Sequence, residues 1–444
     1  MNSIQLADYD AIVIGAGPAG LAAVSQLISE GKKTILINAT TANGYGIGGL
    51  ANEWHYQCAE LEEIDLAGSD NFSAWPISYA EYRKYTEKAK KILDIEININ
   101  NEVSEKHNNF SQAELSIDEV ETIISKKQKW EVVFASTLQS PLLTVYNGLV
   151  SKINHNDQIV NGIILNGKEQ IVKKSSKIYL AAGCVGNTEI LARSNFTELK
   201  KSTTYSKYLT DHPMFENVYL KGGKRTKFYK LFEKKKINNK IILKKRKYRV
   251  RKNGKNLGVF EIRHFFTNRS IDNTSNKLIS SEYLKLSINK LGTLLFRRII
   301  FRPLLTKVWI QLAQESNSES QINVGEYNTS ILWNLSKKDL ENYFEIIKAV
   351  ELKTKNIGFS LYYSKTVETV KDLEETALPA FHLAGTTRMS KKETDAVVDE
   401  NCKLLKTENC YILGSSVFTT AGWINPTLTI MALSIRAVEK SWLQ

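Results

Sequence analysis

The stretch Ala11-Ile12-Val13-Ile14-Gly15-Ala16-Gly17-Pro18-Ala19-Gly20 decides the architecture of this 444-residue chain. The four apolar residues after Tyr9 and Asp10 have the character of a strand buried on both faces. Glycines at 15, 17 and 20 follow at once, and a helical pattern runs from Leu21 to Gly31. A second apolar run, Thr34-Ile35-Leu36-Ile37, closes a strand–turn–helix–strand unit. In that context the glycines have separate tasks. Gly15 permits the tight turn off the strand, Gly17 lets the backbone approach a pyrophosphate, and Gly20 lets helix and strand pack closely. The helix opening at Pro18 and Ala19 presents free N–H groups to phosphates. The second strand of such a unit ordinarily ends in Asp or Glu, which binds the ribose hydroxyls. Asn38 stands there instead; its amide oxygen still accepts a hydrogen bond, though more weakly. No Arg follows that would favour a 2′-phosphate.

The unit sits in a chain of ordinary globular composition, 42% hydrophobic and 24% charged, long enough for a large core. No apolar run reaches the roughly 18 residues that span a bilayer. Asp8 and Asp10 precede the first strand and no basic leader is seen, so the expectation is a cytoplasmic protein. Cys58, Cys184, Cys402 and Cys410 lie far apart, with no CxxC pair and no His at ligand spacing. They read as buried, reduced thiols; no metal site is expected.

The formal charge of +13 is unevenly placed. About half of residues 221–255 are Lys or Arg, including Lys234-Lys235-Lys236 and Lys244-Lys245-Arg246-Lys247. The segment Thr293 to Arg302 mixes bulky apolar residues with arginines. These segments suit a peripheral contact with an anionic membrane surface, such as the inner membrane, or an acidic or lipid-linked substrate. A buried helix with solvated arginine heads explains 293–302 as well. No nucleic-acid motif accompanies the charge, and no nucleic-acid partner is expected.

Between Val145 and Leu191 the pattern is strands with a hairpin around Gly148-Leu149-Val150, then Ile178 to Gly183 running into a helix. Residues from about 215 to 330 are irregular and strand-rich, Lys338 to Ile357 has helical period, and Leu378 to Leu443 returns to strand, glycine turn and helix. The order predicts a mixed α/β protein (α+β mixed). A Rossmann-like domain of residues 1–215 and 376–444 is split by an inserted antiparallel-sheet domain of residues 216–375.

Near the C-terminus stand Phe381-His382-Leu383-Ala384-Gly385-Thr386-Thr387-Arg388-Met389, then Val397-Val398-Asp399. Cys410 to Phe418 and Ile424-Asn425-Pro426-Thr427-Leu428-Thr429-Ile430 follow. With the N-terminal glycines, these strings resemble the glucose–methanol–choline (GMC) flavin oxidoreductases, with a leaning toward the sugar- and polyol-oxidising members. Gly46 to Trp54 looks like the family's glycine-rich loop, Leu209 to Pro213 like a further motif, and Ala181-Ala182-Gly183 with Asn187 also fits. The resemblance covers both ends of the chain and leaves 215–330 poorly matched.

The resemblance implies bound FAD, with Gly48, Gly49, Asn52, Trp54 and Val150 among its contacts. Ala182, Gly183, Gly414, Ser415, Pro426 and Thr427 join the fingerprint residues as further contacts. Glu53 stands where some relatives carry a flavin-linking His, which implies non-covalent FAD. Gly414 replaces an Asp of many relatives, so that contact falls to backbone. His382 and Asn425 match the pair that the family places beside the flavin N5. A neutral imidazole takes the hydroxyl proton of an alcohol while hydride leaves its carbon for the flavin. An amide such as that of Asn425 orients the substrate oxygen, and this residue also suits a helix cap ahead of Pro426. Helix N–H groups after Pro426 face the reduced ring. His55 fits either a flavin-edge position or a plain loop, and His212 before Pro213 reads as structural.

The implied activity is oxidation of a sugar, polyol or lipid-linked alcohol, with O₂ or another acceptor taking the electrons. Two rivals remain on the same scaffold: a flavin-containing lyase, desaturase or isomerase, and a non-catalytic membrane-associated flavoprotein.

Overall fold

A computed structural model describes residues 4–39, 46–53, 57–68, 74–95, 115–120, 123–124, 128–222, 232–237, 240–245, 247–263 and 305–443. Trp54, His55, the side chains of 223–246 and all of 293–302 lie outside the described residues.

The strand Ala11–Ile14 is wholly buried and occupies the centre of a five-stranded sheet. Thr34–Asn38 and Lys177–Leu180 flank it, with Leu143–Asn147 and Cys410–Ile412 outermost. All four pairings are parallel. Burial on both faces explains the unbroken apolar run, since helices cover a parallel sheet on each side. The helix Pro18–Ser29 packs Leu21, Ala22, Val24 and Leu27 inward. The closing helix Thr427–Trp442 lies against it and against Tyr79–Ile92, where the Tyr82 and Thr429 hydroxyls lie 3.0 Å apart. Tyr85 Oη donates to Glu439 at 2.9 Å in the same seam. Val150–His155, Val160–Leu165 and Lys168–Ile171 form a three-stranded antiparallel sheet.

A second, six-stranded sheet runs in the order Phe359–Tyr363, Met214–Gly222, Leu305–Leu312, Lys255–Arg263, Lys247–Lys252, Leu115–Val120. Its described pairings are antiparallel. Strand period sorts its two faces. Val308, Ile310 and Leu312 point to a core shared with Tyr343, Ile346 and Val350 of the helix Lys337–Lys355. Ser336 and Asp339 close a capping box at that helix's start, each side chain accepting from the other's backbone N–H. Trp309 and Val259 turn the other way and join the core of the parallel unit. The strand Leu115–Val120 comes from the N-terminal part of the sequence and pairs with Lys247–Lys252, so the two units are tied by chain passing between them in both directions.

The described end of the basic stretch is neutralised within the fold. Arg249 and Arg251 both contact Glu62 and Asp118, Lys252 meets Glu345, and Lys255 meets Glu315. All four cysteines are buried and outside any disulfide, and burial pushes the Cys58, Cys402 and Cys410 thiols up to about 12. Among the described residues no helix is long and apolar enough to cross a membrane.

A Cβ at Gly20 would collide with the Gly15 carbonyl oxygen, which is backbone and has no rotamer to move to. Gly20→Ala should therefore destabilise the protein by about 1–3 kcal/mol through overpacking. Urea unfolding measures it; an unchanged midpoint would contradict the close helix–strand approach.

Candidate active site

The loops that follow the strands of the parallel sheet converge at one edge. Gly15 leaves Ile14 with φ +110°, and its N–H donates to Ile37 at 2.8 Å. Gly17 is the N-cap of Pro18–Ser29, has no side-chain cap, and a Cβ built on it would meet open space. The segment 46–53 lies across this turn: the Gly48 N–H donates to the Ala16 carbonyl at 2.8 Å, and a Cβ on Gly49 would stand 3.3 Å from Gly17 Cα. Asn52 ties that loop to itself through the Ile47 carbonyl, and Trp130 Nε1 donates to Ala51. Asn38 ends its strand beside Asn147; its carbonyl accepts from Gly148, two residues before the buried Val150.

The next two turns are bound together by Asn187. Its Oδ1 accepts from Ala182 N–H at 2.9 Å, while its Nδ2 donates to the Leu413 carbonyl at 2.9 Å and to Ser416 Oγ at 3.1 Å. Gly183 opens the helix Gly183–Ser194 at φ +77°, and Gly414 turns at φ +103° with a virtual Cβ 3.8 Å from Ala19. Ser415 Oγ donates to Leu383, which carries the edge onward to His382. Open backbone at Gly17 and Gly414, an uncapped helix start and an amide at Asn38 suit a dinucleotide laid along the carboxyl ends of the strands. The closing helix likewise begins without a side-chain cap. Its N-cap is Pro426, so Asn425 precedes the cap and does not serve as one.

His382 stands at the end of this edge. Its Nδ1 lies 3.1 Å from Nδ1 of His212, with the two rings nearly perpendicular. His212 Nε2 lies 3.1 Å from the Ala421 carbonyl and 3.0 Å from that of Gly422. Asn425 follows on the same segment. The loop under His382 is fixed by Asp211, whose Oδ1 accepts from the N–H groups of His212 and His382 and whose Oδ2 accepts from those of Ala380 and Phe381. That clamp holds Phe381 at φ +58°, a left-handed conformation costly for an aromatic residue. Asp211, His212 and His382 lie close enough to ligate an ion. Both carboxylate oxygens already take two backbone donors each, so the cluster reads as a hydrogen-bonded one.

Sequence reasoning selected His382 and Asn425 but gave Asp211 no role and His212 only a structural one. The signal was the Asp–His–Pro string itself. Its partner lies 170 positions away, and no local period reveals such a pairing.

Behind the 421–422 turn lies a cavity of about 210 Å³ lined by Asp65, Asn256, Gln314, Glu315 and Thr420 among others. Burial pushes the Asp65 carboxyl up to about 6. Gln314 joins the cavity to the histidine pair, its Oε1 accepting from Asp211 N–H at 2.8 Å. Gln311 is on the sheet face that carries Trp309, and its Nε2 is buried without a partner among the described residues.

Two outcomes follow from this geometry. Asp211→Asn places an NH₂ against backbone donors and should cost about 1–3 kcal/mol, read by urea unfolding; an unchanged midpoint would show that the clamp adds nothing. Burial lowers the His212 pKa, although Asp211 and the two carbonyls pull upward. In the unfolded chain the ring returns to about 6.5. The stability held by neutral His212 is thus complete above that value and is lost as pH falls toward the lower folded one. The unfolding midpoint should drop between about pH 7 and pH 5, and less steeply in His212→Asn. Equal slopes would assign the effect elsewhere.

Residues 319–434 match the family model described as GMC oxidoreductase. Over its whole length the fold is similar to that of pyridoxine 4-oxidase from Mesorbium loti (TM-score 0.62, 12% identity, 98% of this chain and 99% of the other). It is also similar to formate oxidase (TM-score 0.60, 12% identity, 98% of both chains). Among curated proteins, 82 residues are 37% identical to thiamine thiazole synthase of Archaeoglobus fulgidus, covering 18% of this chain and 30% of that one. A further 59 residues are 39% identical to 2-methyl-1,2-propanediol dehydrogenase of Mycolicibacterium austroafricanum, covering 13% of this chain and 11% of the relative. The chain thus matches less than a third of the length of either curated relative. The GMC oxidoreductase match thus lies in the C-terminal part of the chain, and the fold as a whole is shared end to end with two oxidases.

Proposed function

We propose that this chain is an FAD-dependent oxidoreductase that oxidises a CH–OH carbon, with His382 as the base. The observation that carries the reading is the placement of His382. It stands at the end of the edge formed by the fingerprint, the 46–53 loop and the 414–415 turn, on a backbone held by Asp211. FAD would be held without a covalent bond by the Gly15–Gly20 turn, Asn38, Gly48–Gly49, Ala182–Gly183 and Gly414–Ser415. Bound there, it supplies the hydride acceptor.

The chain's own residues do the rest. His382 removes the hydroxyl proton, which raises the electron density on the carbon that must release hydride. Asn425 orients the substrate oxygen through its amide. The start of the helix Thr427–Trp442 favours negative charge at its N–H groups. Asp65, Asn256, Gln314 and Thr420 in the lining of the cavity behind the 421–422 turn offer hydrogen-bond partners to a hydroxyl-bearing substrate, a sugar, polyol or lipid-linked alcohol. The likeness to a diol dehydrogenase points the same way. Electrons then pass to O₂ or to another acceptor.

The test is an anaerobic absorption titration of the purified protein with a panel of these alcohols. One or more should bleach the flavin bands. His382→Ala should keep FAD bound and reduce it roughly 10² to 10⁴ times more slowly. Equal reduction rates would remove His382 from the proton transfer. Flavin that no alcohol bleaches would overturn alcohol oxidation, and a protein that takes up no FAD would overturn the cofactor.

A further inference from the structure

His212 is a described titratable side chain in hydrogen-bond contact with the His382 ring, and the proposed chemistry leaves it without a task. Its surroundings allow a single proton arrangement. Nε2 faces two carbonyl oxygens, at 3.1 and 3.0 Å, and a carbonyl only accepts, so Nε2 must carry hydrogen. The ring is fully buried, and burial lowers its pKa, so it is neutral. A neutral imidazole protonated at Nε2 has its lone pair at Nδ1. That atom lies 3.1 Å from Nδ1 of His382, which must supply the hydrogen of the bond. The neutral His382 ring then bears its lone pair at Nε2. The reversed bond would need either a lone pair on His212 Nε2 facing two carbonyls or a buried imidazolium, and both are costly.

We propose that His212 is a positioning residue that fixes His382 as its Nδ1–H tautomer and so makes Nε2 the atom that takes a proton. This rests on the reading of His382 as a base, but the tautomer itself can be tested apart from it. The adjacent residue completes the device: Asp211 holds the His382 backbone N–H at 2.8 Å while His212 holds its ring. When Nε2 of His382 gains a proton, Nδ1–H continues to donate to the same lone pair. The resulting cation is stabilised with no change of partner.

The experiment uses the full-length holoprotein labelled with ¹⁵N-histidine at about pH 8, above the ordinary histidine range, with the His382 signals identified by their loss in His382→Gln. The ring should show a protonated Nδ1 and an unprotonated Nε2. In His212→Gln the amide nitrogen still reaches the two carbonyls but brings no acceptor to the His382 ring. The tautomer signals should then average, and alcohol-driven flavin reduction should slow roughly 10- to 100-fold. His212→Asn puts an amide oxygen near the Nδ1 position and should restore the tautomer and most of the rate.

With the His382 signals assigned, the wild-type spectrum decides the tautomer without any His212 variant, so a His212 variant that fails to fold does not spare the proposal. An Nε2–H ring in the wild type, an unchanged spectrum in His212→Gln, or a stoichiometric metal ion lost in His212→Asn would each overturn it. A fixed Nδ1–H ring in a protein that no alcohol reduces would sustain the His212 assignment and overturn the alcohol reading instead.

Discussion

The carboxylate of Asp211 is the point on which the site depends. It accepts four backbone N–H groups, three of them from the consecutive residues Ala380, Phe381 and His382. Charge-assisted bonds of this kind are among the stronger ones a protein makes. They join the entry to the strand Met214–Gly222 to the start of the C-terminal string. Leu312 N–H bonds to the Pro213 carbonyl, and Met214 and Leu378 exchange backbone bonds, so the same junction aligns two strands with the loop. The two units of the fold and the histidine pair are therefore held at one place. A strained Phe381 persists there because its surroundings leave it no alternative.

Around this junction the structure divides labour between backbone and side chain. The edge offered to a dinucleotide is almost wholly main chain: glycine turns, uncapped helix starts and a carbonyl-linked loop. The histidine pair is the reverse, side chains aimed by side chains and carbonyls. Backbone N–H groups suit a ligand held by its phosphates. Side chains suit a step in which a proton must go to one atom and not another.

Much of this was legible in the sequence. The strand–glycine–helix unit was visible because a parallel strand buried on both faces leaves an unbroken apolar run, and because only glycine fits beside the Gly15 carbonyl. The helix now seen as Lys337–Lys355 showed its period within two residues of its ends. The C-terminal string singled out His382 before any geometry was known. What stayed hidden was long-range pairing. The union of Leu115–Val120 with Lys247–Lys252 rests on sheet register, which strand alternation does not specify between distant segments. The bond from His212 to His382 belongs to the same class. The charge of 247–255 also looked external, because the sequence does not reveal that Glu62, Asp118, Glu315 and Glu345 come to meet it.

The outer strand Cys410–Ile412 and the helix Thr427–Trp442 complete the parallel unit, although their partners Lys177–Leu180 and Pro18–Ser29 precede them by more than two hundred residues. During synthesis the fingerprint unit therefore emerges with one flank uncovered. It stays so while the ribosome makes the whole antiparallel sheet. The loop closure is long and the exposed surface is apolar, the combination that slows folding and favours aggregation of unfinished chains. Overproduction in a foreign host should thus be limited by the lifetime of this open intermediate rather than by the stability of the finished protein.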